Sequence, residues 1–256
     1  MSRILHLLWL SIWRSSLQWW SRRSFLITIV IGRAVTPLLG LIVWSAALPG
    51  NSAVTTYYVV LLAVQLMTVS FEHHTLSNGI YAGNLGGELL APKPVVLGYL
   101  GENFALRLWH LVFGMPLVVL AGALVRISIG WATVVAAIPA LIVAAGLRFA
   151  FTYALALSAL WTERAHGVVG FGETLIFLLG GTAAPLSFLS EPVRSIGQLL
   201  PFWSMLGMPA EIAAGTLRGS ALIQAYLVQV SWFVAVTGLA VGVWRVGIRR
   251  FTALGG

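Results

Sequence analysis

From Phe25 to Leu48 the only charged residue is Arg33. Comparable apolar runs follow at roughly Ala53 to Phe71, Phe104 to Leu124, Trp131 to Trp161, Val168 to Pro185 and Ala221 to Trp244. A run of ~20 apolar residues is the length an α-helix needs to cross the ~30 Å hydrocarbon core of a bilayer. In that medium every backbone N–H and C=O must be satisfied within the segment, which a helix does by itself. The runs therefore predict an all-α integral membrane protein with six transmembrane helices. Composition agrees, because 9% charged residues and a mean hydropathy of +0.94 stand far from the ~25% charged residues of soluble domains. Six spans and short connections fill the 256 residues and leave no room for a globular domain, so the chain reads as a single transmembrane unit over 1–256.

The formal charge of +8 does not indicate nucleic acid, since the basic residues are scattered or flank the spans. With six spans, Arg3, Arg14, Arg22, Arg23, Lys93, Arg164, Arg245, Arg249 and Arg250 fall on one side, and Arg126, Arg194 and Arg218 on the other. The excess of basic residues marks the cytoplasmic face. Both termini are accordingly expected there. Cysteine is absent, which removes disulfides and thiolate metal sites.

Three stretches do not fit straight spans. Residues 1–23 are interrupted by Arg14, Arg22 and Arg23, with Ser11, Arg14, Ser15, Gln18 and Arg22 on one helical stripe and Leu5, Leu8, Trp9, Ile12, Trp13 and Trp20 on much of the rest. Such a helix is expected to lie in the headgroup plane, against membrane lipids. Residues 72–101 contain Glu72, His73, His74, Glu88 and Lys93 together with many glycines and two prolines, and are expected to form a cytoplasmic loop. Within it Leu85, Leu89 and Leu90 recur at helical spacing before Pro92 and Pro94, which predicts a short amphipathic helix able to touch something outside the bilayer. Residues 185–215 are apolar but broken by Pro185, Glu191, Pro192, Pro201, Pro209 and Glu211. Extracytoplasmic re-entrant or interfacial helices are expected there.

Arg33, Arg107, His110, Arg148 and Glu173 fall within or near spans, where a central charge costs about 2.5–3.5 kcal/mol on insertion scales. Counting inward from the cytoplasmic span ends at about 1.5 Å per residue places Arg33 roughly 14 Å deep, Glu173 roughly 8 Å and Arg148 roughly 20 Å. Arg33 and Glu173 are the matched pair. Arg148, with or without Arg33, either faces a central path and attracts an anionic headgroup, or makes a structural hydrogen bond to a neighbouring helix or a companion subunit. Glu72, His73 and His74 diverge as neighbours on a helix and read as interfacial polar residues rather than a metal site. Glu163, Arg164 and His166 read as a solvated turn.

The order of parts, an amphipathic first helix, two spans, an amphipathic loop, three spans, broken outer helices and a last span, resembles the permease subunits of ABC-2 type transporters. The resemblance is carried by L-I-V-W-S-A-A-L at 41–48 with T-Y-Y-V-V-L-L at 56–62, then by G-I-Y-A-G-N-L-G-G-E-L-L-A-P-K-P at 79–94. It continues in P-L-S-F-L-S-E-P-V-R-S-I-G-Q-L-L-P-F at 185–202 and P-A-E-I-A-A-G at 209–215. It lies with the branch that combines two dissimilar permeases with a separate ATPase. The chain departs from that branch at Ala91, where a basic residue usually precedes the proline.

The resemblance implies an exporter subunit of the bacterial plasma (inner) membrane that moves an amphipathic, lipid-like, drug-like or peptide-like substrate by alternating access. Two ATP-binding cassette subunits would supply the nucleotide chemistry, ATP and Mg being bound there and no cofactor in this chain. A second permease is implied, a dissimilar one favoured over a copy. Leu85, Glu88, Leu89, Leu90 and Lys93 become the ATPase-coupling residues, and Arg33, Arg148 and Glu173 the intramembrane polar residues of a translocation path. The residues agree on one point: Lys93 is the sole lysine and no G-x-x-x-x-G-K-[ST] is present, so ATP must be bound elsewhere. Two other readings remain beside transport. One is a membrane enzyme, against which stand the absence of aspartate and of H-E-x-x-H. The other is a non-transporting scaffold or sensor that recruits an ATPase.

Overall fold

The computed structural model describes residues 3–162 and 165–254. Glu163 and Arg164, expected in the turn between the fourth and fifth spans, lie outside the described residues. Helix accounts for 84% of the described residues and no strand occurs among them, so the all-α expectation holds. The helices are α1 (Arg3–Ser21), α2 (Arg23–Ala47), α3 (Ser52–Met67), α4 (Glu72–Tyr81), α5 (Leu85–Leu90) and α6 (Val95–Leu124). They continue as α7 (Trp131–Ala156), α8 (Ala165–Leu179), α9 (Glu191–Leu199), α10 (Pro201–Met205), α11 (Gly207–Ala213) and α12 (Ser220–Leu254).

Five stretches are long and apolar enough to cross a bilayer: Arg23–Ala47, Ser52–Tyr81, Val95–Leu124, Trp131–Leu160 and Ser220–Phe251. The expected fifth of six spans, α8, has 15 residues. At helical rise it is ~22 Å long, short of the ~30 Å core. The second stretch, α3 with α4, is the centre of the bundle, because 78% of its apolar part is buried within the chain against 17–39% for the other four. Those four present apolar side chains outward, such as Ile42 on α2, Val119 on α6, Ile142 on α7 and Val234 on α12. That is the pattern of helices solvated by lipid rather than water.

Two boundaries differ from the sequence reading. Glu72 to Tyr81, assigned to a loop, forms α4 and packs against α7. The third span starts at Val95 rather than Phe104. The interruption of 72–101 therefore contracts to α5 and the short non-helical pieces around it, 82–84 and 91–94. The physical reason is that Glu72, the charge that argued against helix at its start, finds hydrogen-bond partners inside the bundle, as described below. The break between α3 and α4, at 68–71, is where the chain does leave the helical path.

Helix α1 packs along the first half of α6 with the serines of its polar stripe inward, while Arg14 and Gln18 of that stripe stay exposed. Ser11, Ser15 and Trp19 are buried, whereas Leu5, Trp9, Trp13, Leu17 and Trp20 are exposed. Gly101 makes this approach possible, since a Cβ there would meet Ser11 Oγ at 2.5 Å. Trp109 Nε1 donates to Ser16 O at 3.2 Å and its ring stacks on Trp20.

The broken segment after α8 folds back into the bundle. Glycine 181, at φ +85°, turns the chain, and its carbonyl accepts from Tyr57 Oη at 2.8 Å. Trp44 Nε1 and Tyr58 Oη both donate to Ala183 O. Helix α9 stays on the surface, while α10 and α11 are buried against α3, α7, α8 and α12. Gln229 on α12 fastens them by donating to Ser204 O and Ala140 O at 2.9 and 3.0 Å.

Candidate functional site

The loop between α4 and α6 has an inner and an outer side. Leu85 is buried among Leu76 and Ile80 of α4 and Tyr99 of α6. Leu89 packs at the edge of the same cluster. Leu90 projects, 89% exposed. Of the three leucines read as one contact face, the first thus anchors the loop and only the last stands clear of the chain. Glu88 is also turned inward, its Oε1 accepting from Tyr99 Oη at 3.1 Å. Lys93 is half-buried between exposed Pro92 and Pro94. Because the loop is tied to α4 by Leu85 and to α6 by Glu88, a displacement of α5 must carry both helices.

Below the loop, the break between α3 and α4 is the meeting point of a buried polar network. The Val69 carbonyl, freed by the break, accepts from Arg107 Nε at 2.9 Å and from Asn103 Nδ2 at 3.3 Å. Arg107 Nη2 also donates to Ala145 O at 2.7 Å and to Ser70 Oγ at 3.4 Å. The Glu72 carboxylate accepts from Asn103 Nδ2 through Oε1 and from Thr152 Oγ1 through Oε2, the latter at 2.9 Å. Arg148 Nη1 donates to Thr68 Oγ1 at 3.2 Å, and Thr68 in turn donates to Val64 O at 2.8 Å. Helices α6 and α7 are thereby both tied to the interruption between α3 and α4. Arg107 and Glu72 are held by neutral partners without a direct ion pair, which suits a low-dielectric interior, whereas buried Arg148 keeps an Nε without a hydrogen-bond partner.

Glu72 and His73 are buried, 2% and 3% exposed, and so are not interfacial as the sequence reading had them. Among the described residues no group of three potential ligands converges on a metal position. Arg148 has the hydrogen bond to a neighbouring segment, its partner being Thr68. Arg33 and Glu173 stand apart from this network and form their own pair, Nη1 to Oε2 at 3.0 Å, joining α2 to α8 as the depth arithmetic paired them.

Sequence reasoning passed over Asn103 and Thr152 and left Arg107 without a partner. A signal was available: Asn103 and Arg107, like Arg148 and Thr152, are four apart, which sets each pair on one helix face. Two polar pairs on spans of such low charge have to face one another or a third polar element.

The fold and the two polar features define a multi-pass helical membrane protein with an anchored loop at one end of the bundle and no nucleotide-binding motif of its own. Residues 16–255 match the family model described as ABC-2 family transporter protein, and the chain belongs to that family. It is therefore a membrane-embedded permease component of an ABC transporter, of a family that carries no ATPase site and typically works with an ATPase partner. No curated protein and no solved structure matches the chain.

Proposed function

We propose that the chain is the permease subunit of an ATP-driven exporter in a bacterial plasma membrane, acting on an amphipathic, lipid-like, drug-like or peptide-like substrate. In this reading α8 completes a set of six spans with the local bilayer thinned around it. Helix α1 lies at the cytoplasmic interface, both termini are cytoplasmic, and α9 to α11 form the extracytoplasmic side. Two ATP-binding cassette subunits bind ATP and Mg. A second, dissimilar permease completes the path, because six spans are too few to enclose one with access to both faces.

The observation that carries the reading is the loop: Leu90 projects 89% exposed from a segment whose neighbours Leu85 and Glu88 are fixed to α4 and α6. An exposed leucine on a tethered tip is suited to insertion into a partner's apolar pocket, worth about 1.5–3 kcal/mol when fully buried. Closure of the ATPases would press on α5 and, through Leu85, on α4. The hinge for that movement is the 68–71 break, whose polar partners on α6 and α7 would take up one of two arrangements. The work transmitted is limited to the difference in ATPase contact between the two states.

The test is ATP hydrolysis in lipid nanodiscs by the chain purified with its co-encoded subunits. Leu90→Asp is expected to lower turnover by at least about tenfold, or to release the ATPase, while the permease stays folded. If ATPases copurify and Leu90→Asp leaves hydrolysis and assembly unchanged, the loop is not the coupling element. If hydrolysis responds to Leu90 but no lipid, drug or peptide is moved, the chain is a scaffold or sensor that recruits an ATPase.

A further inference from the structure

A polar cavity of about 400 Å³ lies between α1, the loop and the start of α6, within the ~300–1,000 Å³ of small-molecule sites. Four charged residues line it: Arg14 of α1, Glu88 and Lys93 of the loop, and Glu102 of α6. Among the described residues the ion pairs within 4.0 Å are Arg33 with Glu173 and Arg194 with Glu191, so none of the four is paired with another. Glu88 already accepts from Tyr99. The Lys93 ammonium lies beside Gly98, where an added Cβ would meet Nζ at 3.4 Å, and Ser11 Oγ donates to the Gly98 carbonyl. Glu102 stands one turn further along α6, about 6 Å on at helical rise. There the cavity meets a second one, of about 580 Å³, whose lining includes Trp19, Phe25 and Phe71.

Charge, length and access select an occupant. Two cations and two carboxylates leave the cavity formally neutral, so neither a lone anion nor a lone cation is balanced in it. A ligand with an acid group at one end and an ammonium at the other satisfies both ends through charge-assisted hydrogen bonds. The ~6 Å from Gly98 to Glu102 at helical rise is close to the ~7 Å of two extended residues, which is the span between the termini of a dipeptide. Access is from the aqueous side. Ser11 and Ser15 line the cavity, whereas exposed Trp9, Trp13 and Leu17 set the lipid-facing side of α1 away from it.

We propose that this cavity binds a short peptide with both termini free, its carboxylate on Lys93 and Arg14, its ammonium on Glu102, and its first side chain turned toward Trp19, Phe25 and Phe71. Such a ligand touches α1, the loop and α6 at once, so an occupied cavity braces the loop against α1. That last link, from ligand to coupling, rests on the function proposed above, whereas the binding itself does not.

Binding is tested with the full chain in nanodiscs of phosphatidylglycerol, a lipid without an ammonium, in the absence of ATP. The probe is tritiated phenylalanyl-alanine, competed by its N-acetylated and its C-amidated forms. Each cap removes one charge and should weaken binding to the wild type about tenfold, the effect of one charged hydrogen bond. Glu102→Gln should weaken the free dipeptide by the same factor and leave the N-acetylated form unchanged. Lys93→Gln should weaken the free dipeptide and leave the C-amidated form unchanged. Lack of saturable binding, or equal affinity of the wild type for free and capped peptides, overturns the proposal without recourse to any variant. So does a loss in Glu102→Gln or Lys93→Gln that extends equally to the matching capped form. Replacing half of the lipid by phosphatidylethanolamine should leave binding unchanged, and competition by that lipid would assign the site to a headgroup and overturn the peptide reading. Since no ATPase enters this measurement, its failure leaves the coupling role of Leu90 standing, and failure of the coupling test leaves the peptide site standing.

Discussion

Arg107 makes three hydrogen bonds, donating to the Val69 and Ala145 carbonyls and to Ser70. Replacing it by methionine keeps the volume but leaves the Ala145 carbonyl without that donor and deprives buried Glu72 of a nearby cation. Arg107→Met is expected to destabilise the chain by about 3 kcal/mol, read as a lowered unfolding midpoint in denaturant titrations in detergent. Leu85 gives a contrasting case, since its burial among Leu76, Ile80 and Tyr99 is purely apolar. Leu85→Ala should cost about 2–5 kcal/mol through the cavity it leaves, and Leu90→Ala, at an 89% exposed position, should leave the same midpoint nearly unmoved. A comparable loss for both would mean that the loop is not anchored on one side only.

At the scale of elements, α1 is held by close approach rather than by a deep apolar interface, because its tryptophans and leucines face outward and its serines face α6. Gly101→Leu cannot be accommodated without moving Ser11, and even the backbone carbon of Ser11 would lie 2.9 Å from the new Cβ. The expected outcome is an α1 displaced from α6 while the rest of the bundle persists, seen as faster tryptic cleavage at Arg14 and Arg22 in nanodiscs. The stripe of Ser11, Arg14, Ser15 and Gln18 was legible in the sequence as amphipathicity. Which side of it faces protein was not, since lipid and protein interior are both apolar and hydrophobicity alone does not separate them. The boundaries of α4 and α6 were misread for a related reason. Charge and glycine count argued against helix from Glu72 onward, but Glu72 is answered by Asn103 and Thr152, and Gly101 seats α1. Those partners lie 31 and 80 residues away and leave no local signal.

For the whole molecule, the proposed orientation is testable directly because the chain has no cysteine, so each single-cysteine variant reports one site. Leu90→Cys and Ser195→Cys, on the loop and on the surface helix α9, are expected to react with a membrane-impermeant maleimide from opposite faces, Leu90→Cys from the cytoplasmic one. Labelling of both from one face would overturn the six-span reading and return α8 to a helix that enters and leaves the membrane on the same side.

The sequence by itself determined the solvent and the class: long runs with almost no charge admit only helices in lipid, and the order of loop, spans and broken segment resembles that of ABC-2 permeases. It also fixed the absence of a nucleotide-binding motif and paired Arg33 with Glu173, since depth along a span is simple arithmetic. Only the tertiary structure decided which of three loop leucines faces outward. Only it decided that the α3–α4 break is the polar hub, and that α10 and α11, the most interrupted part of the sequence, are among its most buried. Periodicity places a residue on a face of its own helix, but what covers that face is set by helices far away in the chain.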